Sequence, residues 1–239
     1  MAQIELRDVS VIYENAHEEV AALDGFSAVF GDGINVVIGS SGCGKTTLLT
    51  SVLGLTRYDG QILMNGKDLV DTAVEDRHFA YVAQNTGLFP QFTVFENIAF
   101  PLKMMGAGRE EIIERVRKIA ELTDLTPCLS RNIKHVSGGQ QQKTAIARAL
   151  VKRPSVCLLD EPFSQVDGIA RVRLRQWMKE LFSQFNCLAI HVTHDLPEAL
   201  SLADHLYVMD EGKLAVCGRP QDVYMSGNEV MESLKVGGY

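Results

Sequence analysis

The amino-acid sequence predicts an α/β fold built on a mainly parallel sheet, and three observations carry that prediction. Ile34 to Ile38 is an apolar run of strand length broken only by Asn35, which marks a strand buried on both faces, and a glycine-rich loop and a helical pattern follow it. The last third of the chain alternates strand-like and helix-like segments, which implies parallel strands joined by helices on both faces of one sheet. Between Gln84 and Ser137 there is almost no strand signal, so this stretch reads as a separate helical lobe inserted into the α/β core.

In chain order, Ile4 to Tyr13, Ala22 to Phe30 and Gln61 to Met64 are short strand-like segments divided by Gly, Asp and Asn turn signals. The helical pattern from Lys45 to Leu53 ends at Gly54, a residue suited to a helix C-terminus. Phe79 to Val82 is a further strand. Thr93-Val-Phe-Glu96 has the spacing of a capping box and opens a helix carrying Ile98, Leu102 and Met105. From Arg109 to Leu125 the apolar residues Ile112, Ile113, Val116, Ile119, Ala120 and Leu122 recur with a period near 3.6. Strands at Val156 to Leu159 and Cys187 to Val192 enclose a helix from Ile169 to Phe185. A short helix from Leu196 to Leu202 and strands at Leu206 to Met209 and Lys213 to Cys217 follow; after Gly218 the tail is polar and weakly patterned.

The chain has 239 residues, 46% of them hydrophobic, enough to bury the core of one α/β domain with a smaller lobe. No run approaches the roughly 18 apolar residues of a membrane span, and the N-terminus lacks the pattern of a secretory signal. A soluble cytoplasmic protein is expected, one that would serve a membrane only through other chains. Thirty acids against 23 bases leave a net charge of −7, which weighs against a nucleic-acid binder. The five cysteines include no Cys-x-x-Cys pair. Cys157, Cys187 and Cys217 sit in apolar strand-like runs, where a thiol is a small buried hydrophobe, so neither disulfides nor a zinc site are expected.

Three segments carry chemistry. Gly39-Ser40-Ser41-Gly42-Cys43-Gly44-Lys45-Thr46 matches the phosphate-binding P-loop, in the required setting of a buried strand before and a helix after. Its glycines let successive N–H groups face phosphates, and the helix N-terminus adds partial positive charge. Lys45 should reach the β and γ phosphates, and the hydroxyl of Thr46, beside Thr47, should ligate Mg²⁺. Cys43 invites a redox reading because helix N-termini lower thiol pKa values, but a small residue that lets the loop close explains it as well. Next, Val156-Cys-Leu-Leu-Asp160-Glu161 sets two carboxylates at the C-terminal end of a buried strand, the sheet edge where ligands bind. Asp160 can hold Mg²⁺ through its water shell, leaving Glu161 to orient and deprotonate an attacking water. A solvated turn before Pro162 is the plainer alternative. Finally, Ser137-Gly138-Gly139-Gln140 has capping-box spacing, but a cap needs only the Ser and the Gln. The two glycines strip the helix start of side chains and leave N–H donors open to an anion.

The P-loop, Gln84, Ser137-Gly-Gly-Gln140-Gln141, Asp160-Glu161-Pro162 and His194 stand in an order and spacing that resemble ATP-binding-cassette ATPases over nearly the whole chain. The resemblance implies a P-loop NTPase core with an N-terminal antiparallel β subdomain (residues 1–86 and 154–218), a helical signature subdomain (87–153) and a C-terminal tail (219–239). It implies ATP and Mg²⁺ as ligands. It also implies a head-to-tail homodimer, in which the Ser137 segment of one protomer meets the γ-phosphate held by the P-loop of the other. Residue by residue, Tyr13 resembles the aromatic that stacks on adenine, and Gln84 the residue joining Mg²⁺ and water to the helical lobe. His194 resembles the γ-phosphate switch histidine, while His191 reads as a strand residue. Asp167 resembles the inter-protomer contact, although Gln165-Val166 replaces the usual Ala-Leu before it. Val136 replaces the usual Leu, and Lys143 the common Arg, without removing a phosphate donor.

Leu88 to Lys103, Asp160-Glu-Pro-Phe163 and His194-Asp-Leu-Pro-Glu-Ala199 most resemble subunits of bacterial importers for anions, metals, polyamines and sugars. This implies transmembrane permease partners, a substrate-binding protein in the same system, and a peripheral place on the inner face of the cell membrane. Phe89 and Phe92, which flank Pro90, are read as an exposed aromatic pair that docks the permease. Two other classes share parts of the pattern. A non-transport cassette ATPase, such as one for iron–sulfur assembly, would lack membrane partners, and a small-molecule P-loop kinase would have no use for the Ser137 segment.

Overall fold

The computed structural model describes residues 2–14, 19–164, 166, 168–185 and 187–236. The first half runs β1 (Ile4–Glu14), β2 (Glu19–Phe30), β3 (Ile34–Ile38), α1 (Lys45–Leu53), β4 (Asp59–Met64), β5 (Lys67–Asp68) and β6 (Phe79–Val82). Three helices follow: α2 (Val94–Met104), α3 (Arg109–Leu122) and α4 (Gly138–Leu150). Then come β7 (Val156–Asp160), α5 (Gly168–Ser183), β8 (Leu188–Thr193), α6 (Leu196–Leu202), β9 (His205–Asp210), β10 (Lys213–Gly218), α7 (Pro220–Tyr224) and α8 (Glu229–Val236).

Two sheets result. The antiparallel one has the order β2-β1-β4-β5, and the larger has the order β10-β9-β3-β8-β7-β6. In the larger sheet every neighbouring pair is parallel except β10 with β9. Its strands alternate between two cores. Val36, Cys157, Leu159 and Val208 face one cluster, and Val37, Leu158, Ile190 and Met209 face the other. A strand covered on both faces favours apolar residues on both, which is why β3, β7 and β8 read as apolar runs interrupted only by Asn35, Asp160, His191 and Thr193. The second cluster joins the sheet to α1 and to β1, β2 and β4.

The helical segment opens on a complete capping box. The Thr93 side chain accepts from the Glu96 N–H, and the Glu96 carboxylate accepts from the Thr93 N–H at 2.8 Å. Its core is not separate. Ile98, Val116 and Ile146 belong to the same apolar cluster as Ile34 and Cys157, so the inserted helices rest on one face of the sheet. Ile98 and Leu102 are fully buried, and each contributes about 1.5–3 kcal/mol by leaving water.

Three expectations need correction. The third helix ends at Leu122 rather than Leu125, because Thr123 turns its hydroxyl onto the Ile119 carbonyl and Asp124 takes a left-handed φ of 55°. The weakly patterned tail forms α7 and α8, which seat Val223 and Met231 in the core, with Val230 and Leu234 half-buried beside Met231; helices of one or two turns are too short to show a clear period. Cys217 is exposed, because β10 is an antiparallel edge strand with one face in solvent. Among the described residues no helix is long and apolar enough to cross a membrane.

Candidate active site

The loop between β3 and α1 cannot carry side chains at its ends. A Cβ on Gly44 would strike the Ala22 carbonyl, and Gly44 has a φ of 104°, which L-residues with side chains rarely adopt. A Cβ on Gly39 would strike the Met209 carbonyl and the Cys43 sulfur. As the N-cap, Gly44 offers no side chain to the N–H groups of the first turn of α1, which are therefore available to an anion. Lys45 is 6% exposed, and its Nζ donates to the carbonyls of Gly39 (2.9 Å) and Ser40 (2.7 Å). The ammonium is thus already held over the cradle. Burial pushes the Cys43 thiol up despite Lys45 nearby, which keeps it protonated and favours the packing role over a redox one.

The order β3-β8-β7-β6 brings the other groups to the same edge. Gln84, Glu161 and His194 each follow the C-terminal end of one of three adjacent parallel strands. The Glu161 carboxylate lies between the other two: His194 Nδ1 is 3.0 Å from Oε1, and Gln84 Nε2 donates to Oε2 at 3.4 Å. Glu161 also has a φ of 42°, a left-handed conformation costing about 1–3 kcal/mol in a residue with a side chain. Such strain is commonly kept where a side chain must be aimed.

Asp160 is 4% exposed and accepts twice, from Thr46 Oγ1 on Oδ1 at 3.2 Å and from the Tyr81 hydroxyl on Oδ2 at 2.9 Å. Burial, then the charge of Asp160 and the hydrogen bond to it, push the Tyr81 phenol well up, so it remains a donor. The facing oxygens of Thr46 and Asp160 suit magnesium, a hard cation that takes few protein ligands and completes its shell with water and phosphate. Among the described residues no group of three or more His, Cys, Asp or Glu gathers to hold a metal, and magnesium in a phosphate site needs none. Tyr13 is exposed on β1 with its hydroxyl 3.5 Å from Thr47 Oγ1, so its ring stands beside the start of α1.

The Ser137 segment is apart from these groups. Ser137 Oγ accepts from the Gln140 N–H at 3.3 Å, and Gln140 Oε1 accepts from the Ser137 N–H at 3.0 Å, which closes the capping box on itself. Among the described residues nothing requires the glycines. A Cβ on Gly138 would meet no atom within 4 Å, one on Gly139 only the Leu174 side chain at 3.8 Å, and neither residue has a positive φ. Gln165 and Asp167 lie outside the described residues.

Several contributing residues carried only weak signals in the sequence. Tyr81 lies within a strand and is marked in the sequence only by a hydroxyl three positions before Gln84. Asp195 caps α6 by accepting from the Glu198 N–H at 2.7 Å, and Arg171 (3.3 Å) and Arg175 (2.9 Å) hold its other oxygen. The Asp-x-x-Glu spacing was legible; the two arginines were not. His191 is a buried strand residue as expected, 2.8 Å from Glu198. Burial opposes the Glu198 charge, but the hydrogen bond and charge of His191 lead the effects that draw its carboxyl below the ordinary value. Phe89 and Phe92 are half-buried rather than exposed, because they pack with Phe100 at ring distances of 4.5–6.3 Å. A cavity of about 570 Å³ between Lys118 and Phe185 lies at the opposite, N-terminal edge of the strands and contains none of the groups above.

The chain is similar to known proteins over most of its length. A family model described as ABC transporter matches residues 28–164. The chain is 41% identical over 232 residues to the trehalose/maltose import ATP-binding protein MalK of Thermococcus litoralis, covering 94% of this chain and 61% of that protein. It is 42% identical over 189 residues to the Fe(3+) ions import ATP-binding protein FbpC 1 of Pectobacterium atrosepticum, covering 79% and 54%. To the molybdate/tungstate import ATP-binding protein WtpC of Pyrococcus horikoshii it is 43% identical over 190 residues, covering 79% and 55%. The chain therefore spans somewhat over half the length of these curated relatives.

Proposed function

We propose, from the premise that this chain belongs to the ABC transporter family, that it binds and hydrolyses ATP to drive a bacterial-type import system. The observation that carries this reading is the Glu161 carboxylate, held between His194 and Gln84 at one edge of the site and adjoining Asp160 and Thr46. Glu161 takes the proton of the attacking water, and His194 keeps that carboxylate aimed. Thr46 and Asp160 would hold Mg²⁺, whose charge offsets that of the phosphates. Lys45 and the free N–H groups of the first turn of α1 bind the phosphates, and Tyr13 stacks on the base.

The unexplained glycines at Gly138 and Gly139 support a head-to-tail homodimer, in which the exposed start of α4 covers the phosphates of the partner's nucleotide. The exposure of Gln84 and of the His194 side chain accords with that arrangement, in which the second wall of the site belongs to the other copy. Residues 1–86 with 154–218 serve as the nucleotide-binding core with its β subdomain, 87–153 as the signature subdomain and 219–239 as the tail. Membrane-spanning permease subunits and a substrate-binding protein complete the system, with this subunit peripheral on the inner membrane face. The permease docks beside the half-buried Phe89, where a cleft of about 320 Å³ is lined by Gly87, Phe89, Phe100 and Lys152 among others. The import reading draws on the names of the relatives, which are import proteins for a sugar, ferric ion and an oxyanion.

The test is Glu161→Gln, which keeps the shape and the hydrogen bond from Gln84 but removes the base. Turnover should fall by about 10²–10⁴-fold, the usual contribution of a positioned base, with ATP affinity retained and an ATP-bound dimer visible by gel filtration. A variant that hydrolyses ATP at the wild-type rate would remove Glu161 from the mechanism.

A further inference from the structure

Gln84 stands at a junction between two bodies. On one side its amide reaches Glu161, which follows β7 of the sheet. On the other, the loop that follows is fastened to helices. Arg148, in the last turn of α4, donates from Nη2 to the Thr86 carbonyl at 2.7 Å and from Nη1 to the Gly87 carbonyl at 2.8 Å. Its guanidinium also lies 5.7 Å from the centre of the Phe89 ring. Asn97 of α2 then holds Phe89 through both backbone groups, at 2.8 Å to the N–H and 3.2 Å to the carbonyl. Only Asn85 separates the residue tied to the sheet from the first residue tied to α4.

We infer that Arg148 is a positioning residue that fastens the loop behind Gln84 to the signature helix, so that a displacement of α4 pulls on Gln84 and carries Phe89 with it. The chemistry favours arginine. Two consecutive loop carbonyls point at one group, and the planar guanidinium meets both with two donors while lying over an aromatic ring. Lysine supplies a single point charge and no plane, so it meets the two carbonyls less well. Gly87 has a φ of 55°, which lets this short segment turn its carbonyls toward α4. Burial draws the Arg148 guanidinium below the ordinary arginine value, and an arginine stays charged there. Each hydrogen bond therefore joins a charged donor to a carbonyl, the stronger kind, with the one to Thr86 part-buried and the one to Gly87 exposed.

The functional meaning rests on the transport reading: a start of α4 that closes on the partner's ATP would transmit through Arg148 to both the catalytic glutamine and the docking aromatic. Two measurements separate the inference from that reading. In the isolated subunit, amide exchange of residues 85–89 should quicken at least ten-fold in Arg148→Ala, while α4 and ATP affinity stay as in the wild type; Arg148→Lys should recover part of the protection. Loop exchange within two-fold of wild type would overturn the inference, and so would equal loss of protection along α4, which would make Arg148 a general structural support. In the complex with permease, Arg148→Ala should lose at least ten-fold of the substrate-stimulated ATPase rate and the transport that accompanies it, and unchanged stimulation would also overturn it. A wild-type complex with no stimulation, alongside the expected exchange result, would refute the transport reading and leave the fastening intact.

Discussion

Removing one oxygen from Tyr81 tests how the metal carboxylate is held. Asp160 is buried, and its two oxygens accept one hydrogen bond each, from Thr46 at 3.2 Å and Tyr81 at 2.9 Å. Tyr81→Phe keeps the ring and its packing but leaves Oδ2 without that donor. A hydrogen bond to a charged group contributes about 1.5–3 kcal/mol net, and water entering beside the half-buried ring would bring the cost to the lower end. For a chain of this size each kcal/mol corresponds to about 2–4 °C, so the nucleotide-free protein should melt roughly 3–12 °C lower. In turnover the effect should fall on the metal. A partner that orients a metal-binding carboxylate typically affects metal affinity by about 10–100-fold, so the Mg²⁺ concentration for half-maximal ATPase should rise by that factor. Nucleotide binding without Mg²⁺ should be unchanged, because Lys45 and the loop N–H groups are untouched. Calorimetric melting and ATPase titrations against Mg²⁺ read both effects. A variant that melts within 1 °C of wild type and shows the same Mg²⁺ dependence would refute the idea that Tyr81 holds Asp160.

Two further outcomes bear on assembly. Lys45→Ala should weaken nucleotide binding, whereas Ser137→Arg should spare binding and block closure, so neither variant alone hydrolyses ATP. In an equal mixture half the dimers are mixed and carry one intact site, which should restore up to about a quarter of wild-type activity if symmetric sites act alone. No recovery in mixtures that demonstrably exchange subunits would count against a shared site. Replacing Phe89 and Phe92 together by Ser should leave the ATPase activity of the isolated subunit in place and abolish transport, since an aromatic anchor commonly contributes about 2 kcal/mol or more to an interface. Normal transport by a folded double variant would sink the docking proposal.

How much was legible in the sequence depended on how local the cause was. The starts of α2 and α4 could be read to the residue, because a capping box is complete within four positions and needs nothing from the rest of the chain. The P-loop was legible for the same reason: strand, glycines, lysine and helix are contiguous. The apolar runs of β3, β7 and β8 announced strands buried on both faces. Where the physical cause was distant, the sequence said little. The α7 and α8 helices are too short for a readable period and depend on the core they pack against, and the exposure of Cys217 follows from its place on an edge strand. Strand order is the deciding case. Segments far apart in the chain pair as β3-β8-β7-β6, and only that pairing sets Glu161 between Gln84 and His194, Tyr81 against Asp160 across 79 residues, and Arg148 against Gly87 across 61. The sequence by itself determined which chemical groups this protein carries and the local turns and caps that aim them. Their distances, and the fastening of α4 to the loop behind Gln84, were decided by tertiary structure alone, because they arise from packing both faces of one sheet, an energy no single segment contains.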